Sequence, residues 1–120
     1  MRDYTKLRAF ELADQLAIEI YRVTQPFPRE EQFGLTSQMR RAAMSVPANI
    51  AEGFSKKGNP DKARIMNIAQ ASLEELRYYF ILAKDLRYVD ATLQWLDLDE
   101  VARLLGAYIR SVRSRSTPSP

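Results

Sequence analysis

The sequence predicts an all-α protein, an up-down-up-down antiparallel four-helix bundle with a kinked second helix. Three observations carry this expectation. Apolar residues recur at spacings of three and four through four long stretches, the period of one helix face. Proline and glycine punctuate the chain between those stretches and leave only short links, so that consecutive helices run antiparallel. No alternating apolar–polar run is long enough to compete as a strand. At 120 residues, 46% hydrophobic and 28% charged, the chain has the length of one domain. Its composition lies outside collagen-like and wholly disordered ranges. No internal repeat or second domain is visible, and the bundle is expected over residues 1–113.

The first helix is read from Leu7 onward. Leu7, Phe10, Ala13, Ala17 and Ile20 form one apolar row and Leu12, Leu16, Ile20 and Val23 another, with Arg8, Glu11, Gln15, Glu19 and Arg22 opposite. Gln25-Pro26-Phe27-Pro28 ends it, because two prolines forbid helical continuation. The second begins near Glu30-Glu31, whose charge suits a helix N-terminus. Its apolar row is Leu35, Met39, Ala42, Val46 and Ile50, flanked by Ala43 and Phe54. Pro47 inside the row removes one backbone donor and predicts a bend rather than a stop. The small neighbours Ala42, Ala43, Ser45 and Ala48 allow close helix approach, and Gly53 and Gly58 bracket the end.

Asn59-Pro60-Asp61 reads as an N-cap, a first-turn proline and a favourable charge. The third helix then runs to about Leu86 through Ile65, Ile68, Ala69, Leu73, Leu76, Phe80 and Ala83, roughly 40 Å of helix. The fourth follows Asp90 and includes Leu93, Leu96, Val101, Leu104, Leu105, Tyr108 and Val112; a later start capped by Asp97 or Asp99 is the alternative. Residues 114–120, Ser-Arg-Ser-Thr-Pro-Ser-Pro, are expected to be a disordered polar tail.

Composition narrows the chemistry. With no histidine and no cysteine, the chain cannot build a zinc finger, an iron–sulfur site, a thiol nucleophile, a disulfide framework or a serine–histidine triad. A di-iron bundle is excluded for the same reason, since it needs Glu-x-x-His on two helices. No metal, cofactor or small-molecule substrate is expected, and the protein is expected not to be an enzyme. The start of the chain has no apolar segment behind it, and no apolar run approaches the roughly 20 residues of a membrane span. The expected address is the cytoplasm.

The net charge is +3, and it comes from residues 32–58, where Arg40, Arg41, Lys56 and Lys57 face only Glu52. A basic stretch is either a solvated face or an anion-binding surface. On the second reading, the candidate nucleic-acid contacts are Lys56, Lys57, Lys62 and Arg64 around the loop after the second helix. Arg110, Arg113 and Arg115 near the end of the chain join them, and Arg40 if it faces outward. No groove-reading motif is present, and adjacent aromatic residues occur only in the run that holds Tyr78-Tyr79, ending at Phe80, so binding would be sequence-tolerant.

A polar row runs beside the apolar row of the second helix: Gln38, Arg41, Ser45, Asn49 and Glu52 share one face, and Glu75 lies on a comparable face of the third. One reading is a polar edge closing over a bundle seam. The sharper reading is a structural network in which Arg41 is mostly buried and paired first with Glu75 and second with Glu52. A catalytic carboxylate pair is the weakest of the three.

The stretch Phe27–Gly53, above all Gln38-x-Arg40-Arg41 followed by Ser45-Val46-Pro47-Ala48-Asn49-Ile50-Ala51-Glu52-Gly53, resembles the bacterial four-helix-bundle family of 23S rRNA-intervening sequence proteins. The likeness extends more loosely to Ser72-Leu73-x-Glu75-Leu76 and Leu105-Gly106-x-x-Ile109, with Ala71 standing where that family usually has glycine. The resemblance implies a left-handed bundle assembling into a homo-oligomeric ring, typically a pentamer. It also implies a role near nucleic acid, RNA or DNA, because related bundle proteins accompany reverse transcriptases of diversity-generating retroelements. Two functions from different classes follow. One is a non-enzymatic oligomer that binds nucleic acid through basic patches. The other is a protein-interaction scaffold for a neighbouring-gene partner, suggested by an apolar excess: Phe54, Ile81, Tyr88 and Trp95 sit where some would lie off a four-helix core.

Overall fold

The computed structural model describes residues 4, 7–90 and 92–116, apart from the side chains of 92, 93 and 116. Helix α1 spans Arg8–Thr24, α2 Leu35–Ser55, α3 Asn59–Asp85 and α4 Thr92–Ser116, with one 3-10 turn at Arg29–Glu31. No strand occurs among the described residues. Each helix packs on two others, α1 against α2 and α4, and α3 against α2 and α4. The result is an elongated four-helix bundle, 55 × 25 × 21 Å. Its axis is filled by Ile20, Met39, Ile50, Met66, Leu73, Leu76, Phe80, Leu98, Leu105 and Ile109, with Ala13, Ala43, Ala69 and Ala83 where helices approach.

The starts and stops have local causes. Thr24, the last residue of α1, donates its hydroxyl to the Ile20 carbonyl at 2.6 Å, and Pro26 and Pro28 then end the helix and carry the chain away. The α2 N-terminus lies four residues beyond the expected one. Glu30 and Glu31 belong to the separate 3-10 turn, and Glu31 instead caps α2 from outside, its Oε1 accepting from the Leu35 N–H at 3.3 Å. A Cβ on Gly34 would sit 2.9 Å from that oxygen, so the glycine leaves the capping carboxylate its space. Helix α2 continues through the buried Pro47.

Three residues, 56–58, turn the chain into α3, which takes Pro60 and Asp61 in its first turn and already includes Asn59. The α3 C-terminus closes with the Arg87 N–H on the Lys84 carbonyl and the Tyr88 N–H on the Ala83 carbonyl, both 2.9 Å. This Schellman closure needs a left-handed residue, and Arg87 supplies it at φ 63°. Helix α4 starts at Thr92, so Asp97 and Asp99 are interior residues rather than caps. It also runs past the expected end of the bundle at 113: residues 114–116 are helical, and the rest of the expected tail, 117–120, lies outside the described residues. The side chain of Leu93 lies outside them too.

Candidate nucleic-acid interface

The antiparallel course brings the end of α2, the start of α3 and the end of α4 to one end of the bundle. Seven of the eight basic candidates gather there. Lys57, Arg64, Arg110, Arg113 and Arg115 are exposed, while Lys56 and Lys62 are half-buried. The acidic groups interleaved among them are Glu52, 3.9 Å from the Lys56 ammonium, and Asp61, 3.5 Å from the Arg64 guanidinium. Both pairs join positions three or four apart in the chain and are open to water, where such pairs hold weakly. Lys57 makes no ion pair among the described residues. Arg64 and Arg113 border one shallow cleft between α3 and α4, with Pro60, Ala63 and Asn67.

Two candidates have other work. Lys62 donates to the Phe54 carbonyl at 2.5 Å and lies 5.3 Å over the Phe54 ring. Its charge thereby completes the C-terminus of α2. Arg40 is elsewhere, beside the C-terminus of α1: Nε donates to the Thr24 hydroxyl at 2.8 Å and Nη2 to the Tyr21 carbonyl at 3.2 Å. The guanidinium stacks 4.7 Å from the Tyr21 ring centroid. Arg40 therefore ties α2 to α1 and does not share the basic end.

The expected network around Arg41 is not formed. Gln38, Arg41, Glu52 and Glu75 are exposed, and no ion pair joins Arg41 to either carboxylate among the described residues. The seam is closed by smaller groups. The Ser45 and Ser72 hydroxyls bond at 2.8 Å, and Asn49 Nδ2 donates to the Ser45 carbonyl at 2.8 Å and hydroxyl at 2.9 Å. The hydroxyl pair satisfies the seam between α2 and α3 without desolvating charge, and the Arg41 guanidinium stays in water.

Sequence reasoning missed two groupings. Arg77 on α3 pairs with Glu74 at 3.4 Å and with Asp99 on α4, and lies 4.8 Å over the Trp95 ring. Glu31 accepts from the Tyr88 hydroxyl at 3.0 Å, and the Tyr88 ring packs on Phe27. Only the i,i+3 spacing of Glu74 and Arg77 was visible in the sequence; the partners from other helices require the fold. The same packing draws Phe54, Tyr88 and Trp95 onto the core, so that of the four apolar residues read as an excess it is Ile81 that lies off it, exposed. Ile68 and Leu96, expected in apolar rows, are exposed as well.

A family profile described as "23S rRNA-intervening sequence protein" matches residues 5–107. The chain belongs to that family. A solved protein of unknown function from the S23 ribosomal protein family of Bacteroides thetaiotaomicron superposes with a TM-score of 0.62 at 18% identity, covering 92% of this chain and 99% of that one. No curated protein matches. Among the described residues of this family member, no cluster of acidic groups is placed to hold a metal ion, and no helix is long and apolar enough to cross a membrane.

Proposed function

We propose that this 23S rRNA-intervening sequence family protein is a non-catalytic, cytoplasmic homo-oligomer whose basic end binds the phosphate backbone of nucleic acid. The observation that carries the reading is the gathering of Lys56, Lys57, Lys62, Arg64, Arg110, Arg113 and Arg115 at one end of the bundle, from three separate helix termini. Such a cluster offers charge without a base-reading element, so affinity is set by phosphate neutralisation. Assembly multiplies a small charge: a pentamer of +3 protomers carries +15, enough for avidity toward a polyanion.

The test is the salt dependence of binding to RNA and DNA of mixed sequence. Replacing Lys56 and Lys57 together by Glu is expected to weaken binding and flatten the slope of log K against log salt by about one to two. Unchanged binding in the double variant, or none in the natural protein at low salt, removes the reading. The scaffold reading is favoured by one observation at the opposite end, where Phe33 is 88% exposed and offers an aromatic ring of the kind that protein partners bury.

A further inference from the structure

We infer that the outer face shared by α2 and α3 is a two-fold contact with a second copy of this chain. On α2, Arg41, Ser45, Ala48 and Glu52 follow at steps of four, three and four; on α3, Arg64, Ile68, Ala71 and Glu75 follow at the same steps. Eleven residues make three turns plus about 20°, so each row stays on one side of its helix for about 16 Å. Apart from the half-buried Ser45, every member of both rows is exposed, Ile68 at 43%.

The register between the rows is fixed. The Ser45–Ser72 bond sets Arg41 level with Glu75. At the other end, Gly53 lies against Met66 and the Lys62 carbonyl, which sets Glu52 level with Arg64. The face therefore has a positive and a negative corner at one end, a negative and a positive corner at the other, and Ala48, Ile68 and Ala71 between them. Neither Arg41 nor Glu75 has an ion-pair partner among the described residues, and Glu52 and Arg64 have only the weak partners three or four positions away in the chain.

That charge pattern is complementary to itself under a two-fold axis lying in the face. An axis along the helices lays α2 on α3 of the second copy and brings Arg41 to Glu75 and Glu52 to Arg64. An axis across them lays α2 on α2 and brings Arg41 to Glu52, with Arg64 on Glu75. Either arrangement makes four reciprocal pairs around a small apolar centre, because each contact in an isologous interface occurs twice. A ring closes through head-to-tail contacts, whereas a two-fold contact is isologous, so this inference goes beyond the proposed function and is told apart from it by mass: loss of the two-fold contact halves the assembly, and loss of a ring contact reduces it to the protomer.

The experiment measures mass by sedimentation for the natural chain, Arg41→Glu, and the charge swaps Arg41→Glu with Glu75→Arg and Arg41→Glu with Glu52→Arg. Arg41 has no ion-pair partner among the described residues of its own protomer, so Arg41→Glu is expected to keep its helix content and melting temperature. Its two-fold dissociation constant is expected to rise about 100-fold or more, since two attractions become repulsions, and the assembly mass to halve. Ile68→Asp at the centre is expected to do the same. Restoration by the Glu75 swap supports the axis along the helices, and restoration by the Glu52 swap the axis across them. An unchanged mass in Arg41→Glu, or a loss that neither swap restores, overturns the inference.

Discussion

Arg87 holds a backbone conformation that costs an L-residue roughly 1–2 kcal/mol and costs glycine almost nothing. Its N–H is needed for the closure of α3, and glycine keeps that donor. Arg87→Gly is therefore expected to raise stability by about 0.5–1 kcal/mol, after the larger unfolded-state entropy of glycine is subtracted; urea unfolding checks it. Its neighbour Tyr88 makes stability depend on pH. Donation of its hydroxyl to Glu31, with some burial and the negative charges of Glu31 and Glu30, raises the phenol above its ordinary value of 10.0. The fold therefore favours the protonated phenol. The stabilisation is complete below about pH 10 and disappears as pH rises through the raised value. Tyr88→Phe is expected to be less stable than the natural chain at neutral pH, with the gap closing in alkaline urea titrations.

Among the helices, the approach of α2 and α3 is the tightest contact a glycine controls. A Cβ on Gly53 would lie 2.8 Å from Met66 Cγ and 3.2 Å from the Lys62 carbonyl oxygen. Alanine in a helix interior gains about 0.5–1 kcal/mol of propensity, but displacing a buried side chain and a facing backbone costs about 1–3 kcal/mol. Gly53→Ala is expected to be destabilising, read as a lower urea midpoint with an unchanged slope. The sequence suggested close approach in this region through Ala42, Ala43, Ser45 and Ala48, yet read Gly53 only as a terminator. Periodicity places a residue on a face but says nothing of how near the next helix comes. Arg41 shows the same limit. Its row was legible, but whether the row turned into the seam or away from it depended on a few tens of degrees of rotation. Ser72 across the gap decided that, taking the hydroxyl bond and leaving the guanidinium in water.

At the scale of the molecule, the four helices and their order were legible because Pro26, Pro28, Gly58 and Pro60 mark breaks that amphipathic periodicity alone leaves open. The basic end was legible only as two groups, one after α2 and one near the end of the chain, which the antiparallel course joins. Arg40 shared their charge but not their place, because the α1 terminus offered its side chain a hydroxyl, a carbonyl and an aromatic ring at once. The opposite end holds the α1–α2 link, 25–34, and the residues that follow α3, 86–90, and Glu31 and Tyr88 clasp them across 57 positions of sequence. A contact that spans so much chain closes late, because each helix hairpin must already stand before the two loops meet. The clasp therefore contributes little to the speed of folding and acts on the reverse process. It holds the two hairpins together against unfolding and lengthens the lifetime of the native state.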